Sequence, residues 1–362
     1  MATLACPHPA ETRLQLIERA RRHWMFEHTP TLVPIESWIV ASWQRCLDQG
    51  RRPHERVTFD LVSAARQRQV MQASAALRRA AAPVIEATLA RAMRDSGYFA
   101  LLTDADGVVV DVHGPLQTSD RHVQAIARVG VDLSERAVGT TAIGAALAER
   151  MPVWLHRGEH FFEDTAVYSC AGAPLFGPHG ACIGMLDLTG VLTPERRALK
   201  HLVAVAARRI ENALVAAEPH ALLLRLTWPG HVPGDEDDGL VALDREGTIV
   251  AANRTAADML DLRAPWPHVG DVLALPVGEL FDAARRHRSP WEAPTWSGLR
   301  LMVLAHPPVP GATAGAAAAV PLRSRETALI RQAVAEAGGN VAEAARRLGI
   351  SRATVYRKLR QR

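Results

Sequence analysis

The stretch NVAEAARRLGISRATVYRKL, which starts at Asn340, allows very few folds. Val341, Ala344, Ala345 and Leu348 recur at the spacing of one helical face. Asn340 precedes them as an N-cap, and Gly349 follows where a left-handed C-cap residue is wanted. Ile350 fills the corner. Ser351 can cap a second helix whose inward side chains are Val355 and Leu359. Arg352, Thr354, Arg357 and Lys358 fall on the outer face; with Asn340, Ser351 and Tyr356 they are the candidate DNA-contacting residues. Two short helices crossing over small residues at a tight turn form a helix-turn-helix. Charge agrees: residues 322–362 hold ten Lys/Arg against three Asp/Glu, a net of +7, whereas the whole chain is +4 and the remainder therefore −3. Basic charge concentrated on one small module is the footprint of a nucleic-acid binder.

The string GGNVAEAARRLGISRATVYRKL resembles the Fis-type helix-turn-helix that closes the sigma-54-dependent activators. The resemblance implies that a preceding helix, 324–337, pairs two protomers through Leu329, Ile330, Ala333 and Val334. It thus implies a homodimer on double-stranded DNA, with RNA polymerase or a sigma-54 activator as a further partner.

A chain of 362 residues, 48% of them apolar, has room for two or three domains with real cores. Charged residues interrupt every apolar stretch, so no membrane partner is expected. The N-terminus lacks the basic-then-apolar pattern of a secretory signal. Cys6, Cys46, Cys170 and Cys182 are scattered without a CxxC, which points to reduced thiols and a cytoplasmic protein.

Residues 1–72 read as a helical N-terminal region packing on the next module, with Trp38, Ile39 and Trp43 on one face. A helix is expected over 74–96, with Pro83 kinking it or marking its first turn. YFALLTDADGVVVDVHG then reads as a hairpin turning at 104–107, MPVWLH as a strand, and GAPLFGPHGACIGMLDLTG as a second hairpin turning at 178–180. An amphipathic helix over 192–217 closes the module. The plan is α+β, an antiparallel sheet covered by helices. The strings RAVGTTAIGAAL, GEHFFEDTAVYSCAGAPLF and GACIGMLDLTG resemble the GAF sensor of acetoin-catabolism activators, over 73–217. The resemblance implies a small-molecule effector held between sheet and covering loops. Candidate lining residues are Thr140, Thr141, Trp154, His156, His160, Phe161, Tyr168, Cys170 and Asp187, although Trp154 and Phe161 also read as plain core. Gly139 and Gly144 read as turn or helix-packing positions. His156, His160 and Cys170 offer soft donors, but their spacing fits no established site, so no metal is expected. A redox pair of Cys170 and Cys182 would need proximity and a lowered thiol pKa.

HVPGDEDDG reads as an acidic linker. GLVALDREGTIVAANRTAADMLDL then reads as strand, turn at 245–247, strand and short helix. It resembles the opening of a PAS domain, with Asn253 at that family's Asn; the module, 222–305, is expected to be reduced, with poorly marked later strands around 296–304. Residues 306–321, rich in Pro, Gly and Ala, read as a linker to the all-α Fis-type module at 322–362.

Sigma-54 activators carry an ATPase domain between sensor and helix-turn-helix. The sequence holds neither the G-x-x-x-x-G-K-[ST] loop that grips nucleotide phosphates nor a GAFTGA string, so ATP hydrolysis is not carried over. No G-x-S-x-G, HExxH or G-x-G-x-x-G occurs either, so neither an enzyme nor a cofactor is expected. The multidomain α+β chain is therefore expected to be a ligand-sensing, DNA-binding transcriptional regulator. The alternative is a GAF/PAS interaction protein that modulates a full-length sigma-54 activator through mixed dimers.

Overall fold

Apolar strands separated by Gly- and Pro-bearing turns build the first sheet. In the computed structural model, β1 (Phe99–Asp104), β2 (Val109–His113), β3 (Val153–His156), β4 (Tyr168–Phe176) and β5 (Cys182–Val191) pair antiparallel in the order β2-β1-β5-β4-β3. The structure describes residues 12–26, 35–117, 119–286, 289–308, 333–334, 337, 340–352 and 354–356. They belong to two units, Met1–Gly315 and Ala316–Arg362.

One face of the first sheet is covered by helices α1 (Arg13–Arg21), α2 (Ser37–Asp48), α5 (Arg121–Ile126), α6 (Glu135–Val138) and α7 (Ala142–Glu149), with the connecting loops. Trp38, Ile39 and Trp43 share one core with Phe99, Leu101, Phe161 and Met185, so the N-terminal helices complete the module's core. Arg21 is buried and donates to the carbonyls of Gly158 and Phe161, each at 3.0 Å, and to that of His160. Glycines permit the closest approaches. At Gly172 a Cβ would stand 2.6 Å from Met185 Cε and 3.0 Å from the Ala142 carbonyl, so the start of α7 rests directly on β4. Gly139 has φ +68°, and a Cβ there would strike the Phe162 ring.

The other face packs on helices drawn from both ends of the module. Helix α3 (Ala64–Ala73) leads into α4 (Ala75–Ser96), and α4 with α8 (Ala198–Ala217) buries Ile85, Leu89 and Ile210 against Leu186 and Leu188. Pro83 lies well inside α4 and not in its first turn. It is exposed, so the carbonyl its ring leaves unpaired can reach water. Helix α8 starts at Ala198, later than the periodicity suggests.

The second sheet departs from expectation. It has five strands, β6 (Leu222–Thr227), β7 (Gly239–Leu243), β8 (Ile249–Ala252), β9 (Trp291–Pro294) and β10 (Arg300–His306), in the order β8-β7-β6-β10-β9. No reduced sheet results, because LLLRLT, which precedes the acidic segment, supplies the central strand. The acidic segment itself is packed. Arg208 forms an ion pair with Asp237 at 2.8 Å, Arg209 bonds Glu236, and Asp238 is buried beside Arg225 at 3.2 Å.

Asn253 joins the second sheet to α8. It caps helix α9 (Arg254–Leu260): its Oδ1 accepts from Ala256 N at 2.8 Å and Leu240 N at 2.9 Å. Its Nδ2 donates to the Asp238 carbonyl at 2.9 Å and to Asn212 Oδ1 at 2.7 Å. Every hydrogen-bonding position of the amide is used. Asn253→Leu strands two buried N–H groups and should cost about 2–4 kcal/mol in denaturant unfolding. Helix α10 (Val277–Arg285) adds Leu280 and Ala284 to the core of this sheet.

In the second unit, helix α11 (Val341–Arg347) is capped by Asn340, whose Oδ1 accepts from Ala342 N at 3.1 Å and Glu343 N at 3.2 Å. Gly349 is left-handed at φ +63°. Ala345 and Val355 are buried, with Val334, Val341, Leu348 and Ile350 packed on them. Leu359 and most of the expected preceding helix lie outside the described residues.

Candidate functional site

Strand alternation on β5 sends Leu186 and Leu188 towards α4 and α8, and Met185, Asp187 and Thr189 to the opposite face. There Asp187 lies beside Leu101 of β1, and Thr189 beside Cys170 of β4. Helix α7 covers this patch, its first turn capped by Thr141 Oγ1, which accepts from Gly144 N at 3.2 Å. Between them lies a cavity of about 30 Å³. Of the candidate lining residues, Thr141, His160, Tyr168, Cys170 and Asp187 border it.

The other four stand elsewhere. Trp154 and His156 occupy the alternate positions of β3 and therefore face α4 and α8. They stack at 6.4 Å, with His156 Nδ1 2.8 Å from Ser169 Oγ and Trp154 Nε1 3.3 Å from Glu195 Oε1. Thr140 is turned to α2, its Oγ1 2.7 Å from Ser42 Oγ. Phe161 is core, edge-on to Phe162 at 4.9 Å. The cavity also uses residues not anticipated, among them Phe59, Leu133, Thr165 and Thr189. Only Thr189 carried a sequence signal: it follows Asp187 by two in a strand and so shares its face.

Several of the side chains bordering the cavity are polar and buried. Asp187 is fully buried, and burial raises its carboxyl pKa to about 7. Its Oδ2 accepts from the Thr189 hydroxyl, while Oδ1 has no partner. Cys170 Sγ lies 3.4 Å from Thr189 Oγ1, and burial raises its thiol pKa well above the usual value. His160 is also fully buried, which lowers its pKa to about 4 and keeps the ring neutral at pH 7. Its Nδ1 is 2.9 Å from the Arg157 carbonyl, an acceptor only, so Nδ1 carries the proton. Nε2 is then a bare acceptor, and it has no partner. Tyr168 donates its hydroxyl to the His122 carbonyl at 3.0 Å and lies edge-on to Phe59, His122 and His160.

Among the described residues no group of His, Cys, Asp and Glu is arranged to hold a metal, and His156 and Cys170 face opposite sides of the sheet. The Cys170–Cys182 redox pair is not formed. Cys170 pairs with Thr189, and Cys182 is seven residues from Thr189 along β5, about 23 Å at strand rise. Both thiols are free, and burial raises the pKa of each.

On the helix-turn-helix unit, Asn340, Ser351, Arg352 and Tyr356 are exposed. Thr354 is half-buried, its hydroxyl 2.9 Å from Ser351 Oγ and its N–H donating to that same oxygen at 3.1 Å. Arg357 and Lys358 lie outside the described residues.

Residues 16–212 match the family described as MimR, N-terminal domain. The chain belongs to that family. Residues 321–361 match the bacterial regulatory proteins of the Fis family. The acetoin catabolism regulatory protein of Cupriavidus necator is 30% identical over 251 residues, covering 68% of this chain and 37% of its own length. MimR of Mycolicibacterium smegmatis, a propane 2-monooxygenase operon transcriptional activator, is 28% identical over 252 residues, covering 67% of this chain and 40% of its own. The chain thus spans well under half the length of these relatives. Among solved structures, the E. coli DhaR(N)–DhaL complex aligns with a TM-score of 0.47 at 17% identity, covering 75% of this chain and 100% of that one. No helix among the described residues is long and apolar enough to cross a membrane.

Proposed function

We propose that the protein is a transcriptional regulator that binds DNA through residues 322–362 and adjusts its occupancy to a small molecule held by a GAF-like module, 73–217. The observation that carries this reading is the cavity beneath α7: sheet, helix and loops border it, and two of the bordering residues, Asp187 and His160, are fully buried and each keep one side-chain atom without a partner. Buried polar atoms are paired in nearly all native structures, so two orphans on residues bordering one cavity favour a ligand position. The names of the relatives suggest the first compound to test, acetoin.

The second sheet serves in this reading as a PAS-like relay. Its Asn253 is bonded to α8, and the Pro178 carbonyl at the β4–β5 turn accepts from Ala252 N at 2.9 Å and from Trp266 Nε1 at 2.9 Å. The same hairpin carries Cys170 and Asp187, so the ligand site and the second sheet share two strands. The chain acts as a homodimer, placing two recognition helices roughly 34–36 Å apart on successive turns of the groove. A ligand that favours one arrangement supplies a coupling of about 1–3 kcal/mol, a several-fold to hundredfold change in affinity. With no phosphate-binding loop in the sequence, the output is occupancy itself and not nucleotide-driven remodelling.

The test is the melting temperature of the full chain with and without acetoin, alongside its affinity for duplex DNA under the same conditions. Acetoin should raise the melting temperature, because a ligand that binds only the folded state stabilises it, and should shift DNA affinity. Binding of acetoin with no change in DNA affinity would overturn the regulatory reading.

A further inference from the structure

Helix α8 carries a single acid, Glu211, and buries it where the helix passes from one sheet to the other. Ile210 and Leu214 beside it pack into the core of the first sheet, while Val215 packs on Leu240, Ala242 and Ala251 of the second. Glu211 Oε1 accepts from Phe176 N at 2.9 Å, at the end of β4. The next residue, Asn212, holds Asn253, the cap of α9. From α9, Arg254 lays its guanidinium over the Phe176 ring, 4.5 Å from the centroid. Two residues past Phe176, the Pro178 carbonyl takes its bonds from Ala252 N and Trp266 Nε1. Gly180 lets the turn close on that indole, since a Cβ there would stand 2.8 Å from Trp266 Cη2. The carboxyl, the capping amide and the turn form one joint between the two sheets.

An ionised carboxyl is poorly compensated in this joint. Arg254 and Arg208 are the cations that act on it, and both are paired elsewhere, Arg254 with Asp258 at 3.1 Å and Arg208 with Asp237 at 2.8 Å. A buried carboxylate without a paired cation is costly, and a neutral carboxyl is not. Closing the joint therefore favours the neutral form, and opening it returns the group to water.

We propose that Glu211 is a charge-sensitive latch between the two sheets: neutral, it holds the end of β4 to α8 and α9; ionised, it loosens them. The latch requires nothing in the cavity beneath α7 and stands apart from the ligand-sensing reading. Burial raises the Glu211 pKa from 4.5 to about 7. Below pH 4.5 the open and closed joints both hold the proton, and pH has no effect. Between 4.5 and 7 the open joint releases it and the closed joint keeps it, so the ratio of closed to open falls about tenfold per pH unit. Above 7 both are ionised and the ratio levels off. Guanidinium groups keep their charge throughout. Cys182, opposite Phe176 on β5, is held protonated by burial. Asp238 and His306, shifted by burial in the second sheet, are unchanged by substitution at Glu211.

The experiment is amide hydrogen exchange of the full chain at residue resolution across pH 4–8, for the wild type and Glu211→Gln. The amides of Phe176 and Ala252 donate across the joint, so their protection reports its opening. Amides of the β1–β5 ladder, inside the first sheet, are the reference within the same sample. In the wild type, protection at Phe176 and Ala252 relative to the ladder should fall about tenfold per pH unit from 4.5 to 7 and then level off. Glutamine keeps the acceptor and has no proton to lose, so Glu211→Gln should be flat and at least tenfold better protected at pH 8. The wild-type series stands without the variant, should the latter fail to fold. Protection at Phe176 and Ala252 that tracks the ladder at every pH would make Glu211 a contributor to global stability alone and overturn the latch. The same pH slope in Glu211→Gln would overturn it as well.

Discussion

Asp187→Asn melts at the same temperature as the wild type at pH 4 and roughly 10 °C above it at pH 8. The reason is the proton that the buried carboxyl holds. Its pKa is about 7 in the fold against an ordinary 3.8. Below the ordinary value both folded and unfolded chains bind the proton, and nothing is lost. As pH rises from about 4 to 7 the unfolded chain releases it while the folded chain keeps it, so unfolding becomes more favourable at each step. Above 7 the full cost is present, on the order of 4 kcal/mol. The amide has no proton to lose and escapes this cost. Glu159 and Glu211, also raised to about 7 by burial, follow the same sign in both proteins and cancel in the comparison. His160 runs the other way: its pKa is depressed from 6.5 to about 4, so its contribution is present above 6.5 and lost as pH falls towards 4. It too cancels between the two proteins. Thermal melts across pH 4–8 check the prediction, and coincident curves at every pH would contradict a neutral Asp187.

The second large effect falls on the other unit. Val355→Asp should abolish specific DNA binding while leaving the melting of Met1–Gly315 unchanged. Val355 has no exposure, and among the described residues of its unit only Ala345 and Ala333 are similarly buried. A carboxylate placed there has no cation in the described core and must be desolvated, at a cost of several kcal/mol. A core this small stores about 3–5 kcal/mol, so the unit unfolds. Affinity for duplex should fall at least about 100-fold. Arg352→Ala, which removes an exposed side chain from the folded unit, should cost only about 1–3 kcal/mol and only on the specific site. Far-UV circular dichroism and anisotropy on labelled duplex separate the two variants.

The parts of the fold that sequence made legible are those set by local chemistry. The turns at 104–107 and 178–180, the cap at Asn340 and the left-handed Gly349 each announce themselves within a few residues. Strand β6 does not. LLLRLT sits against an acidic, Pro- and Gly-bearing segment, and what makes it a central strand is pairing with β7 and β10, the latter some 75 residues on. The site was legible in part for the same reason. Tyr168, Cys170 and Asp187 come together because β4 and β5 are long enough to declare their faces, and Thr141 and His160 reach the same cavity from the α7 cap and the loop after β3. Strand β3 has four residues, too few for its own alternation to say which side is which, and Trp154 and His156 fall on the far face. Thr140 and Thr141 differ by one position at the start of α7, and only the capping bond of Thr141 decides which of them meets the cavity.

The most direct test of ligand-adjusted DNA occupancy is selection of duplexes from a random pool by the full chain, with and without acetoin. The expected result is enrichment of a two-fold symmetric site whose half-sites lie one helical turn apart, a yield that changes several-fold or more with acetoin, and loss of enrichment in Arg352→Ala. A recovered pool indistinguishable from the input, or equal enrichment whether or not acetoin is present, would contradict it.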